Sequence, residues 1–437
     1  MQPNSYHECM KRTSYESRCQ QQRLSRSELE HWQLKRLNDL VSRILPCNTF
    51  YRDRLSHPFQ PAQSLTDLQT WPFTTKQDLI PTDPSISTSN HLTFARSEYI
   101  RFHQTSGTHG RPLVVLDTAK DWHWWTETWQ FVLDAAEVSA HDTVLMAFSF
   151  GPFIGFWSAN DAVQTRGALV VPSGGLSTEA RLELILSQQT TVVCCTPSYA
   201  LHLADTAEKR GHNLADSAVR TLIVAGEPGG SVAAIRQQIQ NAWGADVVDH
   251  AGATEIGPWG FGNRKAAGLH VIESEFIAEF LRVGTDQPAD RGELSELVLT
   301  SLGRVGAPVI RYRTGDLVEA HDSPADDCRF VFLRDGVLGR VDDMMIIRGV
   351  NIYPSAIEQI LREFPEIREY RITATKEGAM DALQIEVEDD AEDPSRIARA
   401  LQTRLGLRVD VRNAESNSLP RFEMKGQRFI DRRHQSS

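Results

Sequence analysis

Thr105-Ser-Gly-Thr-His-Gly-Arg-Pro112 is the stretch around which this chain is organised, and apolar runs typical of β-strands flank it on both sides. Its two glycines allow positive φ angles and a close approach of the backbone to a ligand. Its hydroxyl groups can donate to phosphate oxygens, and its arginine adds a forked cation. The composition predicts a phosphate-binding loop whose ligands are Thr105, Ser106, Gly107, Thr108, His109, Gly110 and Arg111.

This loop differs from a Walker A loop. The Walker A motif ends in Gly-Lys-Ser/Thr and runs into a helix, whereas Pro112 is followed by Leu-Val-Val-Leu, a pattern that predicts a strand. The alternative is a glycine-rich hairpin that binds nothing, because turns and phosphate loops have similar compositions. Motifs elsewhere in the chain must decide between these two interpretations.

Length and composition indicate a globular protein with at least two domains. The chain has 437 residues, of which 41% are hydrophobic and 24% charged, and this length exceeds one ordinary core. The longest apolar region, Val144 to Trp157, is too short and interrupted to span a bilayer. The N-terminus lacks a signal-like apolar core and the six cysteines form no framework, so we expect a cytoplasmic protein without a membrane partner. A net charge of −11 argues against nucleic-acid binding.

The order of the predicted elements indicates an α/β protein. Residues 1–22 are polar and without periodicity, and we expect a loosely ordered tail there. A helix begins after Ser25, which forms a capping box with Glu28. Between residues 143 and 249, strands alternate with helices, which predicts mainly parallel α/β layers whose ligands gather at the carboxyl ends of the strands. Two turns fall at such ends, Gly226-Glu-Pro-Gly229 and His250-Ala-Gly-Ala-Thr-Glu-Ile-Gly257.

The second half changes character. From about residue 270 to 333 the chain reads as β-strands with few helices, which predicts a β-rich subdomain. Beyond Gly339 a compact α+β unit follows. The pattern therefore predicts residues 1–22 as a tail, 23–339 as a large N-terminal domain and 340–437 as a small C-terminal domain.

Several motifs in sequence order resemble those of the adenylate-forming enzymes of the acyl-CoA synthetase superfamily, particularly the phenylacetate-CoA ligase branch. The similarity runs from about residue 24 to 433. Besides the phosphate loop it rests on Phe50-Tyr-Arg, Pro72-Phe-Thr-Thr-Lys-Gln-Asp-Leu79, Pro172-Ser-Gly-Gly175, Thr196-Pro-Ser-Tyr199, Gly226-Glu-Pro228, Ala253-Thr-Glu255, Ile310-Arg-Tyr-Arg-Thr-Gly-Asp-Leu317, the run from Leu338 to Pro354, and Leu419-Pro-Arg421 with Lys425 and Arg428.

The resemblance implies a reaction in which a carboxylate attacks the α-phosphate of ATP, giving an acyl-adenylate and pyrophosphate, after which the thiol of CoA displaces AMP. ATP, Mg²⁺ and CoA would be required. Glu255 would coordinate Mg²⁺ as a hard oxygen ligand, and Asp316 would accept from the ribose hydroxyls. The remaining residues implied to bind the nucleotide are Gly226, Glu227, Pro228, His250, Ala251, Gly252, Ala253, Thr254 and Arg340.

The C-terminal motifs imply a two-step enzyme. Lys425 would reach between the carboxylate and the α-phosphate and offset the charge of the transition state. Arg340 and Asp342 resemble the hinge about which the family's small domain rotates between the half-reactions. That rotation would bring Arg348 and Gly349 to the thiol. Lys425, Glu255 and Arg340 are thus the implied catalytic residues.

An acyl pocket and some departures from the family pattern complete the prediction. The pocket would consist of Phe148, Phe150, Phe153, Trp157, Ala251, Gly252 and Pro258, and its aromatic rings suit a flat aryl acid. The departures are His109, Arg111, the pair His250-Ala251, and Met424. A zinc site found in some relatives needs four ligands, and only His270 and Cys328 stand in its place, so we predict no zinc.

Alternatives remain at this stage. The adenylate could pass to a carrier protein, or the enzyme could adenylate a cofactor as coenzyme F390 synthetases do. A nucleotide-binding relative without activity is a third interpretation, against which the intact Glu255, Asp316, Asp342 and Lys425 argue. The expected partners are a small carboxylic acid, ATP and CoA, and a homodimer is also considered.

Overall fold

The computed structural model describes residues 12–55, 60–83, 85–105, 111–325, 327–343, 345–347, 350–377, 380–406, 409–416, 418–420 and 428–433. The helices are α1 Tyr15–Gln22, α2 Arg26–Ile44, α3 Thr49–Arg54, α4 Leu65–Leu68, α5 Lys76–Leu79, α6 Ala119–Ala135, α7 Trp157–Arg166, α8 Thr178–Ser187, α9 Pro197–Lys209, α10 Ala233–Trp243, α11 Pro354–Arg362 and α12 Pro394–Leu405. None of the helices in this part of the chain is long and apolar enough to cross a bilayer.

The strands are β1 Tyr99–Gln104, β2 Val114–Thr118, β3 Thr143–Met146, β4 Leu169–Pro172, β5 Val192–Cys195, β6 Thr221–Ala225, β7 Asp246–Ala253, β8 Gly257–Phe261, β9 Gly268–Val271, β10 Phe276–Arg282, β11 Leu294–Ser301, β12 Tyr312–His321, β13 Phe332–Arg340, β14 Met345–Ile347, β15 Val350–Ile352, β16 Ile367–Glu377, β17 Met380–Asp389, β18 Asp410–Asn413 and β19 Phe429–Asp431.

A continuous sheet of eleven strands forms the large domain, in the order β10-β11-β12-β13-β9-β8-β7-β6-β5-β3-β4. Strands β3 to β7 pair in parallel. From β7 through β8 to the β10 edge, every pairing is antiparallel. The predicted α/β fold class is confirmed, and the β-rich part shares one sheet with the parallel part because β7 pairs with both.

Apolar side chains cover both faces of the parallel part, as is usual for buried parallel strands. Along β3, Val144 and Met146 pack on one side with Trp129 of α6. Leu145 packs on the other side with Leu203 of α9. The four tryptophans of α6 are all buried in this core, so the tryptophan-rich helix serves packing.

Helix α2 shows how local signals and distant contacts combine. Its N-terminus carries the predicted capping box between Ser25 and Glu28. On its inner side, Gln33 donates from Nε2 to the carbonyls of Glu273 at 2.8 Å and Phe276 at 2.9 Å. In the following helix α3, the Tyr51 hydroxyl donates to the carbonyl of Pro308 at 3.2 Å. The N-terminal helices thus pack against the antiparallel part of the sheet.

Three sequence predictions are corrected by the structure. Residues 15–22, expected in a loose tail, form helix α1, because buried Arg18 donates to both carboxylate oxygens of Asp134. Residues 1–11 of that tail lie outside the described part. Residues 157–166 form a helix, α7, that was not recognised from the sequence. The run of β-strands predicted from about residue 270 to 333 is interrupted between Ser301 and Tyr312.

The C-terminal domain has its own core. Strands β18, β17, β16 and β19 form one sheet in that order. Isoleucines and leucines of α11, α12 and this sheet are buried together, including Ile357, Ile372, Ile385 and Leu401. Strands β14 and β15 form a separate hairpin. The predicted domain boundaries stay a prediction.

A fully buried ion pair lies at the centre of the large domain. Both side chains, Arg304 and Asp117, have no exposed surface, and their charged atoms are 2.7 Å apart. Burial by itself would raise the pKa of the Asp117 carboxyl, but the Arg304 guanidinium holds it below its usual range. Asp117 also accepts from Trp125 Nε1 at 3.2 Å, and Arg304 donates to the carbonyl of Thr254 at 2.9 Å.

We expect Arg304→Met to destabilise the large domain by about 3–5 kcal/mol, because the substitution leaves the Asp117 charge buried without its partner. Thermal unfolding followed by circular dichroism measures the effect. Arg282→Met is the matched control, since Arg282 pairs with Asp290 and Glu293 at the surface. Equal melting temperatures for the two variants would contradict a structural role of the buried pair.

Candidate active site

The turn after β6 lies between the two domains. Gly226 has a φ of 93°, in the left-handed region that glycine adopts without strain. The Glu227 carboxylate accepts from the backbone N–H of Ser198 at 2.7 Å, at the start of α9. The other oxygen of Glu227 lies 3.9 Å from a guanidinium nitrogen of Arg428. The Glu227 side chain therefore faces the C-terminal domain, and its implied role in nucleotide binding stays a prediction.

The second turn is tighter than predicted, because β7 continues to Ala253 and β8 begins at Gly257. Glu255 lies in this turn and is 9% exposed. One of its oxygens accepts from the Tyr312 hydroxyl at 2.9 Å. Burial, together with the Glu255 charge, raises the pKa of Tyr312 well above its usual value, so the phenol stays protonated as a donor. The neighbouring Thr254 carbonyl is held by Arg304.

The residues around Glu255 fit a metal that arrives with phosphates. Within the described ranges there is no group of three His, Cys, Asp or Glu residues that could hold an ion by itself. The Tyr312 hydroxyl donates to Oε1 of Glu255, so Oε2 takes no part in that contact. Mg²⁺ is usually held by one or two carboxylates with substrate phosphates and waters. A single partly accessible carboxylate matches that pattern.

A line of alternating charges connects the sheet to the predicted hinge. Asp316 on β12 stands opposite Arg340 on β13 and accepts from it at 2.9 Å. The same guanidinium lies 3.4 Å from the Asp342 carboxylate. A side chain at Gly315 would come within 2.9 Å of Arg340, so the glycine makes room for the ion pair. The structure thus brings Asp316, Arg340 and Asp342 together.

The phosphate loop is seen only at its two ends. Ser106, Gly107, Thr108, His109 and Gly110 lie outside the described residues. Thr105 accepts from the N–H of Leu113 through its hydroxyl at 3.0 Å, which closes the base of the loop. Arg111 donates to the carbonyls of Pro81, Asp83 and Ile86. Phosphate binding by this loop stays a prediction.

Two groups of ring contacts include three of the four predicted acyl-pocket aromatics. Phe148, Phe150, Phe153 and Trp157 are half-buried. Phe150 meets Trp157 at 4.6 Å between ring centroids, and Phe148 meets Phe156 at 5.4 Å. Phe156 contacts Trp129, which lies 4.3 Å from the His250 ring. Phe156 and Trp129 were not predicted for this pocket, because their apolar surroundings favour core packing.

The short residues of the second turn allow close packing beside this cluster. Ala251 and Ala253 are half-buried, and Pro258 is buried on the facing strand β8. A side chain at Gly252 would lie 3.2 Å from the Pro258 α-carbon. Glycine is therefore favoured here by the close approach of two strands. The His250 backbone lies in the turn implied to bind the nucleotide, whereas its ring contacts Trp129.

A bridge from the C-terminal domain ends at the Glu227 turn. Arg428 is 8% exposed and donates to both oxygens of Glu369, at 2.6 and 3.1 Å. Its guanidinium lies 3.9 Å from the Glu227 carboxylate, and this contact joins the two domains. Lys425, Met424, Arg348 and Gly349 lie outside the described residues, so their predicted roles stay predictions. The bridging role of Arg428 was missed, although its motif was recognised.

Two ligand types of the relatives' zinc site do lie together. The Cys328 sulfur is 3.7 Å from Nδ1 of His270. Burial raises the pKa of the Cys328 thiol to about 12 and lowers that of His270 to about 4. In the described part of the chain no third ligand joins them, and Asp326 lies outside it. The prediction of no zinc remains open to test.

Two ranges of the chain match known protein families. Residues 77–274 match the AMP-binding enzymes, and residues 349–433 match the C-terminal domain of AMP-binding enzymes. The chain is 33% identical over 378 residues to a phenylacetate-coenzyme A ligase of Thermus thermophilus. That similarity covers 84% of this chain and 82% of the relative.

Two solved structures of 2-hydroxyisobutyryl-CoA ligase resemble the chain over nearly its whole length. One, in the postadenylation state in complex with R3-HIB-AMP, has a TM-score of 0.88 at 26% identity and covers 96% of this chain and 93% of the other. The second, in the thioesterification state with 2-HIB-AMP and CoA, has a TM-score of 0.72 at 27% identity, with 97% and 94% covered.

Proposed function

The chain belongs to the AMP-binding enzymes, in the phenylacetate-CoA ligase branch, and is an ATP-dependent acid:CoA ligase that acts through an acyl-adenylate; from this premise we propose that its acid is an aryl carboxylic acid and that the residues described above divide the work as follows. The aromatic cluster of Phe148, Phe150 and Trp157 supports an aryl acid, since flat rings pack well against such side chains. Transfer to a carrier protein, cofactor adenylation and an inactive relative are not favoured by these relationships.

The observation that carries the proposed site is the position of Tyr312. Its phenol donates to Glu255, and it lies on β12, the strand that also carries Asp316, which accepts from Arg340. One strand therefore connects the residue proposed for the metal with the residue proposed for the ribose. Such an arrangement suits a nucleoside triphosphate, whose ribose and phosphates must be bound at the same time.

In the first half-reaction, a carboxylate oxygen of the acid attacks the α-phosphorus of ATP, and the bond to the β-phosphate breaks with release of pyrophosphate. We assign the binding of the ribose hydroxyls to Asp316, with Arg340 keeping that carboxylate in place. Glu255 would hold Mg²⁺, which when bound offsets phosphate charge. Lys425 would stabilise the developing charge between the acid and the α-phosphate.

In the second half-reaction, the CoA sulfur attacks the acyl carbonyl, AMP leaves with the electron pair of the broken C–O bond, and the thiol proton passes to solvent. We propose that the C-terminal domain rotates about Asp342 between the steps. Two structures of one enzyme fit this chain with TM-scores of 0.88 and 0.72, and a change in domain arrangement accounts for such a difference. Arg348 and Gly349 would then face the thiol. A cytoplasmic homodimer also remains a proposal.

Pyrophosphate release with a panel of carboxylic acids, with and without CoA, tests the proposed function. We expect release with aryl acids such as phenylacetate and formation of the CoA ester only when CoA is present. Release without ester formation would favour another acceptor. Preference for aliphatic over aryl acids of similar size would contradict the aryl assignment.

We expect Glu255→Gln to raise the Mg²⁺ concentration for half-maximal adenylate formation by roughly tenfold or more, because the amide keeps the size but loses the charge that opposes the metal. Pyrophosphate release at a series of Mg²⁺ concentrations measures this. Glu30→Gln, on the exposed side of α2, is the matched control. An unchanged Mg²⁺ dependence in Glu255→Gln would show that the metal role is wrong.

Lys425→Ala and Asp342→Pro should separate the half-reactions. We expect Lys425→Ala to lose roughly 10²- to 10³-fold in adenylate formation, the scale for one preorganised donor, while a supplied acyl-adenylate still reacts with CoA at nearly the normal rate. Asp342→Pro should form adenylate and then stall, because proline fixes φ at the residue that must change it.

Single-turnover assays of each half-reaction measure both variants, and Lys209→Ala, at an exposed position near the end of α9, is the control for loss of a lysine. Equal losses in the two steps for Lys425→Ala would contradict the two-conformation account.

A further inference from the structure

His250 offers a hydrogen-bond acceptor that packing does not explain. The residue is 9% exposed, and its ring lies 4.3 Å from the Trp129 ring, measured between centroids. Its Nδ1 lies 2.8 Å from the carbonyl of Gly260. Because a carbonyl only accepts, Nδ1 must carry the hydrogen and Nε2 must present a lone pair. The tautomer of His250 is therefore fixed by the backbone of β8.

Nε2 lies beside Gly252, a residue predicted both for the acyl pocket and for the nucleotide. A β-carbon placed on Gly252 would lie 3.3 Å from this nitrogen, and the absence of that carbon leaves the approach open. Among the described residues no donor reaches Nε2, yet the atom is not sealed in the interior. The two ring nitrogens of His91, in contrast, are enclosed without partners. Nε2 of His250 is thus not enclosed, and the residue beside it has no side chain.

The ring is neutral near pH 7. Burial lowers the pKa of His250 to about 4, although the hydrogen bond to Gly260 opposes this shift. A carboxylate would gain nothing from a neutral acceptor, because carboxylates also only accept. A hydroxyl or amino hydrogen is the complementary group. An unfilled buried acceptor has a cost, so the pocket discriminates against an acid without such a donor.

We propose that the acid activated by this ligase carries a hydroxyl or amino group that donates to Nε2 of His250. This inference rests on the proposed acid:CoA ligase function and narrows its substrate class to aryl acids with a donor on the ring or side chain. Trp129 supports the imidazole from one side, and Gly252 leaves the space that the donor occupies.

Paired substrates test the inference. Pyrophosphate release would be measured with phenylacetate, its 2-, 3- and 4-hydroxy derivatives and the corresponding aminophenylacetates. At least one substituted acid should exceed phenylacetate by about tenfold or more in kcat/KM. Equal or lower values for every substituted acid would overturn the inference while leaving the ligase function intact. No release with any acid would overturn both.

Variants locate the preference on His250. His250→Phe keeps an aromatic ring against Trp129 but removes the acceptor. We expect kcat/KM for the substituted acid to drop, so that its ratio to kcat/KM for phenylacetate falls toward one. Phe156→Leu, in the same cluster, should lower the values for both acids without changing their ratio. A preference retained in His250→Phe would overturn the assignment. If that variant does not fold, His250→Gln provides the same comparison, with the side-chain carbonyl restoring part of the preference.

Discussion

The buried ion pair between Arg304 and Asp117 is the constraint on which the candidate site depends. Asp117 belongs to β2, the strand that follows the predicted phosphate loop, and it also accepts from Trp125 of helix α6. Arg304 extends from the same pair to the carbonyl beside Glu255. Because a buried charge has no substitute partner in its surroundings, the loop strand, the core helix and the Glu255 turn must keep their relative positions.

The sequence predicted those elements that local signals define. The capping box at Ser25 and the alternation of strands with helices were sufficient for α2 and for the parallel layers. Helix α1 was missed because its residues are polar and its position depends on the distant Asp134. Helix α7 was missed because its buried side consists of small residues such as Ala159 and Ala162, which give little periodic signal. Distant contacts, which a local pattern does not contain, decide such cases.

The same distinction applies to the site. Motifs identified Glu255, Asp316 and Arg340, since each stands in a short characteristic run of sequence. The residues that contact these candidate site residues could not be predicted from the spacing of the motifs. Tyr312 reaches Glu255 across 57 positions of the chain, and Arg428 reaches Glu227 from another domain. Tyr312 does occur within the Ile310–Leu317 motif, so its place four residues before Asp316 was the available signal.

The packing of the N-terminal helices has a consequence for synthesis of the protein. Gln33 and Tyr51 find their partners only near residues 273–308. Ribosomes add about 5–20 residues per second, so the interval between Tyr51 and Pro308 lasts roughly 13 to 50 seconds. Throughout that interval only neighbouring residues, up to Leu68, can cover the apolar side of α2. The part that later packs against Ile277 and Ile310 stays exposed, and slower elongation lengthens its exposure to aggregation.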